Sequence, residues 1–215
     1  MNNEKTIIIL IRHGETMANR DGIFRGRKDF PLNKNGILQA QQLAEHIAKK
    51  FSLDAIYSGP LSRTTETAAP VAEKFNIPLQ IEPRLNNISL GSWEGVPYSE
   101  IERKYPEQYH LWLTEPEKLR IPDGETLADV RIRSVESVDE SVRKHTGQTI
   151  ALVSHRAVIK PLIAGLIGLP APYFWKIHID NAAYCIIYHN LERGFEIYQS
   201  NINSYLGQFV VEEGG

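Results

Sequence analysis

An α/β chain with a largely parallel sheet is what this sequence predicts, on three observations. Thr6-Ile7-Ile8-Ile9-Leu10-Ile11 is a β-branched run that reads as a buried strand, and Ile150-Ala151-Leu152-Val153-Ser154 is another. Amphipathic helical segments alternate with such runs, which is the order that parallel strands with helical crossovers require. No internal repeat, low-complexity tract or Gly/Ser/Pro-rich linker interrupts the pattern, so residues 1–215 read as one domain.

The elements follow in order. Asn33 is placed to cap a helix running to about Lys50, with Ile37, Ala40, Ala44 and Ile47 on one face. Lys49 and Lys50 suit its negative C-terminal end. Asp54–Tyr57 reads as a short strand, and a helix follows from about Leu61 to Phe75 that Pro70 should kink or divide. Residues 95–125 break the rhythm. Tyr98, Tyr105, Tyr109 and Trp112 stand there among Pro106, Pro116 and Pro122, which predicts a helical insertion outside the sheet. A longer helix is expected from about Glu125 to Lys144, with Val130, Val135, Val138 and Val142 supplying much of its apolar content. Beyond Ile150–Ser154, the runs Ala183–His189 and Phe195–Gln199 flank Glu192-Arg193-Gly194 as a closing hairpin.

Composition excludes several function classes. The 24 Lys and Arg against 26 Asp and Glu give a formal net charge of −2, no electrostatic footprint for nucleic acid or a membrane surface. The apolar run before Arg12 is too short to cross a bilayer, and no small-residue cleavage site follows the polar start Met1–Lys5, so a cytoplasmic chain is expected. Cys185 lies in the apolar run Ala183–Tyr188 and reads as a buried structural thiol. The histidines at 13 and 155 stand apart, without the paired spacing of a zinc cluster, so neither metal nor organic cofactor is expected. An exposed edge in the closing hairpin would permit a homodimer.

The chemistry concentrates at strand ends. Arg12-His13-Gly14-Glu15-Thr16 follows the first strand directly. Arg offers a planar fork that matches two phosphate oxygens, and His is able to act as nucleophile or proton carrier near neutrality. Gly14 is expected to turn the chain sharply and bring its N–H to an oxyanion. Ligands of open α/β sheets bind beyond the carboxyl ends of strands, and two further basic residues lie beyond strand ends: Arg63 in Ser62-Arg63-Thr64-Thr65 and His155 in Val153-Ser154-His155. Two guanidiniums and two imidazoles at one point would hold a dianion from several sides.

At this point the chain resembles the histidine phosphatase superfamily, the phosphoglycerate-mutase-like group. Arg12–Thr16 with Asn19 is similar to the signature loop, and Phe24–Leu32 to the segment after it. Ser62–Ala68 resembles the second-arginine helix, Gly91-Ser92-Trp93-Glu94-Gly95 the Gly-x-Trp-Glu-Gly turn, and Pro122–Leu127 the Gly-Glu-Ser loop. Val153-Ser154-His155 carries the second histidine. The resemblance implies a three-layer α/β/α sandwich with a small helical insertion over the active site. It implies a phosphohistidine on His13, with Arg12, Arg63 and His155 holding the phosphoryl oxygens and Asn19 adding a neutral hydrogen bond. Thr16, Arg25, Gly26 and Arg156 are the further candidates for phosphate or substrate binding.

Three departures from that pattern matter. Where the family places a carboxylate as general acid, Leu85-Asn86-Asn87-Ile88-Ser89-Leu90-Gly91 has Asn87, which cannot protonate a leaving oxygen. Three accounts stay open: a substitute carboxylate, with Glu125 preferred over Glu94 and Glu82; a leaving group that needs little protonation, as in an acyl or N-linked phosphate; or a disabled enzyme or phosphate binder. Arg156 and Arg25 also stand where neutral residues are usual, which suggests a substrate with a second acidic group. The expected function is a metal-independent phosphatase for a small phosphorylated metabolite. A mutase and a non-catalytic phospho-ligand binder are the rivals, and labelling of His13 by a phosphoryl donor separates the last from the others. Trp93, Tyr98, Tyr109 and Trp112 stand either as an aromatic wall of the pocket or as the insertion's own core.

Overall fold

The computed structural model describes residues 5–207; the start of the polar N-terminal stretch, residues 1–4, lies outside them. In chain order the principal elements are β1 (Thr6–Arg12), α1 (Met17–Arg20), β2 (Ile23–Phe24), α2 (Lys34–Lys50), β3 (Ala55–Ser58), α3 (Ser62–Phe75) and β4 (Leu79–Ile81). Then come β5 (Val96–Pro97), α4 (Tyr98–Lys104), α5 (Pro106–Thr114), α6 (Leu127–Lys144), β6 (Thr149–Ser154), α7 (Arg156–Leu166), β7 (Tyr184–Asn190) and β8 (Gly194–Ile202).

The main sheet runs β4-β3-β6-β1-β7-β8. Its first four strands are parallel; β7 of the closing hairpin pairs antiparallel with β1, and β8 pairs antiparallel with β7 at the edge. Helices cover both faces. Ile8 and Leu10 of β1 pack with Val138 and Val142 of α6 and Ile159, Leu162 and Ile163 of α7. Ile9 and Ile11 point the other way, onto Leu43, Ala44 and Ile47 of α2 and Ala68, Val71 and Ala72 of α3. The period of two in a strand buried on both faces gives this three-layer α/β/α arrangement.

Caps explain where the helices start. Asn33 accepts from the Gly36 N–H at 2.8 Å, as expected for the N-cap of α2. Thr126 and Asp129 form a reciprocal capping box, so α6 begins at Leu127 rather than Glu125. In the 95–125 segment Pro106 and Pro116 occupy first positions of short helices, and Pro97 is the cap of α4.

Two local expectations are corrected. Ile37 is half exposed (49%), and the buried face of α2 instead includes Gln39, whose Oε1 accepts the Glu15 N–H at 2.8 Å. The buried face is Gly36, Gln39, Ala40, Leu43, Ala44 and Ile47, and its one polar side chain is satisfied by that bond. Pro70 does not divide α3, which runs unbroken from Ser62 to Phe75 with Ala68, Val71 and Ala72 packed on the sheet. That packing outweighs the hydrogen bond that proline removes. Val135 is only partly buried, unlike Val130, Val138 and Val142. The reading also passed over β4 and α7; α7 is short, carries Pro161 within it and follows the His155 motif directly.

Candidate active site

The C-terminal ends of β1, β3 and β6 bring the basic residues together. One pocket at this edge has a polar wall of His13, Arg25, Gly26, Asn87, His155 and Arg156. Phe24, Tyr98 and Trp112 form an apolar side, and the space within, open mouth included, is about 440 Å³. That is room for a small metabolite. Tyr98 and Trp112 are therefore wall residues, whereas Trp93 is buried in a core around Phe24 and Tyr109 packs against that core.

His13 is buried at the end of β1. Its Nδ1–H donates to Gly14 O at 2.7 Å, which leaves Nε2 as the nitrogen with the lone pair. Burial first, then the positive charges of Arg63, Arg12 and Arg25, hold its pKa well below the ordinary 6.5. The ring is neutral at pH 7; of the three arginines acting on it, Arg25 lines the pocket, and Arg12 and Arg63 lie outside its lining. His155 is the cap residue ahead of α7, and its ring centroid lies 5.2 Å from that of His13. Its Nδ1 accepts from Arg63 Nε–H at 3.3 Å, so Nε2 carries the hydrogen, and that buried N–H has no partner. Burial, then Arg63 and His13, depress its pKa well below 6.5 as well.

Arg63 is fully buried and tightly held: Nη2 donates to Gly26 O at 2.9 Å and Nη1 to Lys28 O at 3.1 Å, with Asp29 3.7 Å away. Burial, then Arg25, pulls its pKa down to about 9, so it stays a cation at neutral pH. Arg12 is buried too, and its Nη1 donates to Ile179 O at 2.8 Å. Arg25 is half-buried and donates to Ala18 O at 3.1 Å. Arg156, also half-buried, stacks toward Trp175 with its guanidinium 5.8 Å from the ring. Gly26 has φ +51, and a side chain there would run into Glu94, so glycine is required.

Other candidates stand elsewhere. Thr16 and Asn19 are buried and cap α1, with Asn19 Oδ1 accepting from Thr16 N–H at 3.0 Å and from its hydroxyl at 2.8 Å; neither lines the pocket. Gly14 corrects its expected role. Its N–H donates to Thr67 Oγ1 at 2.9 Å instead of facing an oxyanion, and a Cβ there would lie 2.8 Å from Gly36 O. Glycine is needed for the close approach of loop and helix. Glu15 works the same junction, accepting from Asn33 at 2.6 Å and Asn35 at 3.0 Å.

Glu125 lies outside the pocket lining. Its oxygens accept from Arg133 Nε at 2.9 Å and Ser89 N–H at 2.9 Å, and Arg27 pairs with it at 3.1 Å. Asn87 is on the wall, 7% exposed, and donates through Nδ2 to Gly26 O at 2.8 Å.

Sequence reasoning missed the loop between α7 and β7. Asn181 Nδ2 donates to His13 O at 3.1 Å and to Gly14 O at 3.3 Å, the same oxygen that receives the His13 ring N–H. Asp180 anchors this loop by accepting from Asn201 and Asn203 at 2.9 and 2.8 Å and pairing with His178 at 2.9 Å. An Asp-Asn pair just ahead of a strand was the only signal.

No group of three or more His, Cys, Asp or Glu among the described residues could hold a metal ion. No helix among them is long and apolar enough to cross a membrane.

Comparison with known proteins gives the same result as the geometry. Residues 8–202 match the model of the histidine phosphatase superfamily, branch 1. Phosphoserine phosphatase 1 of Hydrogenobacter thermophilus is 38% identical over 205 residues, 95% of this chain and 96% of that one. The adenosylcobalamin/alpha-ribazole phosphatase of Escherichia coli is 33% identical over 178 residues, covering 83% and 87% of the two chains. Among solved structures, a phosphoserine phosphatase of Entamoeba histolytica in complex with 3-phosphoglyceric acid superposes with a TM-score of 0.83 at 28% identity, over 94% of this chain and 99% of that one. With a neutral buried histidine ringed by arginines and relatives of this kind over nearly its full length, the chain belongs to the histidine phosphatase superfamily, branch 1, and is a phosphomonoester hydrolase of that family.

Proposed function

We propose that the chain hydrolyses a small phosphorylated metabolite carrying a second acidic group, in two steps through a phosphohistidine on His13. The observation that carries this reading is the fixed tautomer of His13 on the pocket wall: its Nδ1–H is held on Gly14 O, and its ring stays neutral under burial and the positive charge of Arg63, Arg12 and Arg25. A neutral imidazole with Nε2 free of a proton is a nucleophile at pH 7. In this reading Arg12, Arg63 and the His155 Nε2–H take the phosphoryl oxygens, spreading the charge that builds as the phosphoryl group transfers. Thr16 and Asn19 hold the loop that carries His13. The chain works as one domain, with the 95–125 segment covering the pocket through Tyr98 and Trp112.

Arg25 and Arg156 add positive charge on the same wall, beyond what a phosphoryl group alone needs. The phosphoserine and 3-phosphoglyceric acid in the names of the relatives each carry a carboxylate beside the phosphate. A carboxylate matches a guanidinium fork.

The test is phosphate release from a broad panel of phosphomonoesters together with acyl and N-linked phosphates, with His13→Ala as blank, and trapping of labelled phosphoenzyme. Release and a label that both disappear in the variant support the reading. Phosphoryl transfer to a second metabolite without phosphate release would point to a mutase, and binding without any label to a non-catalytic binder. If Arg156→Ala leaves the preference between mono- and dianionic substrates unchanged, the second-acid assignment is removed.

A further inference from the structure

We infer that the chain prefers phosphoryl donors whose leaving group departs as a stable anion, acyl phosphates foremost, and that Asn87 sets this preference. The inference rests on the phosphohistidine reading above and deepens it.

Hydrogen bonding fixes the Asn87 amide. Gly26 O is an acceptor that already receives Arg63 Nη2 at 2.9 Å, and it takes Asn87 Nδ2–H at 2.8 Å. The amide nitrogen must face this carbonyl, so Oδ1 is turned away from it; this oxygen is buried and has no partner. The wall residue thus offers an acceptor and has no proton to give. Among the described residues no Asp or Glu lines the pocket. The three carboxylates considered as substitute acids are engaged elsewhere. Glu125 is held by Arg133, Arg27 and the Ser89 N–H. Glu94 accepts the Arg27 and Leu90 N–H groups at 3.0 Å each. Glu82 is held by both the side chain and the N–H of Arg84. Glu125 and Glu82 would have to give up bonds on both oxygens to act as an acid, and none of the three lines the pocket.

The chemistry then selects the donor. In the first step the Nε2 lone pair of His13 forms the N–P bond, the P–O bond breaks, and its electron pair leaves on the ester oxygen. From an alkyl phosphate that product is an alkoxide, and doing without a general acid costs about 10²–10⁴-fold in rate. From an acyl phosphate it is a carboxylate, which needs no proton at neutral pH. In the second step water oxygen bonds to phosphorus, the P–N bond breaks, and its pair returns to Nε2. Both water protons end on the phosphate, which leaves as dihydrogen phosphate and loses one to solvent. Asn87 Oδ1 can accept a hydrogen bond from that water and so orient it, without removing its proton.

The experiment compares the purified chain with Asn87→Asp across acyl, aryl and alkyl phosphates. Asp is close in shape to Asn, and the Gly26 carbonyl facing it favours the protonated carboxyl while Arg63, Arg27 and Arg133 nearby favour the ionised one; either way the variant brings to this wall a group that can hold and give a proton. The expected result is a fall in kcat/KM of about 100-fold or more from acyl to alkyl donors in the native chain. Asn87→Asp should raise alkyl turnover about tenfold or more, with activity declining as pH rises through the new carboxyl's pKa, and so narrow the gap between acyl and alkyl donors. A native chain indifferent to the leaving group, or a folded Asn87→Asp that gains nothing on alkyl donors, overturns the inference and points to an acid elsewhere in the chain. If the variant fails a thermal unfolding check, the leaving-group slope of the native chain decides alone. Absence of His13-dependent phosphate release from every donor would instead overturn the phosphatase reading itself.

Discussion

His13 and His155 are neutral because burial and neighbouring guanidiniums oppose a further positive charge. The active form of His13 therefore persists at pH values where an ordinary imidazole is protonated. The acid limb of kcat for a good leaving group should lie well below 6.5, and Arg25→Ala should move it upward by removing one cation. Stability follows from the same shifts. Below about 6.5 the unfolded chain binds protons that the folded rings refuse, so stability is full above that pH and declines as pH falls through it. Denaturant titrations between pH 8 and about 5 would check the sign. Asn181 acts one bond further out, on the Gly14 carbonyl that holds the His13 ring. Asn181→Ala should lower kcat about tenfold with KM nearly unchanged, the pattern of a misplaced nucleophile rather than weakened binding. An equal rise in KM would assign it a purely structural role.

Among elements, the helices that frame the site depend on a few local contacts. The loop after β1 rests on α2 through Gly14 against Gly36, Glu15 on Asn33 and Asn35, and the Glu15 N–H on Gln39. Gly14→Ala should destabilise the chain by about 1–3 kcal/mol, because the Cβ would meet backbone that cannot yield. It should also lower activity, since His13 is the preceding residue. Chemical denaturation with parallel rate measurements would show both effects. Thr126→Ala removes half of the capping box on α6, which lies outside the pocket lining. It should cost about 1 kcal/mol with kcat intact, a control that separates stability from chemistry.

At the scale of the molecule, the sheet and the 95–125 segment have separate cores. Phe24, Trp93 and Trp112 pack with Phe174 apart from the strand-centred clusters. Trp112→Ala should cost about 3–5 kcal/mol and open the segment before the sheet. Hydrogen exchange would show it as faster exchange over residues 98–114 while β1 and β6 stay protected. Uniform acceleration across the chain would contradict two separate cores.

The residue pattern alone determined the fold class, the positions of α2, α3, α6 and the closing hairpin, and the basic residues at strand ends. These depend on local periodicity, caps and β-branching, all written within a few consecutive residues. Tertiary structure decided what depends on pairing distant segments. Gly14 serves a contact with Gly36, Glu125 is engaged by Arg133 and Arg27, and Asn181 reaches the His13 loop from 168 positions away. It also turned the Asn87 amide, because only the folded chain brings the Gly26 carbonyl to its nitrogen. A side chain's type is fixed by its codon, but the proton it holds and the partner it keeps are fixed by neighbours that only folding supplies.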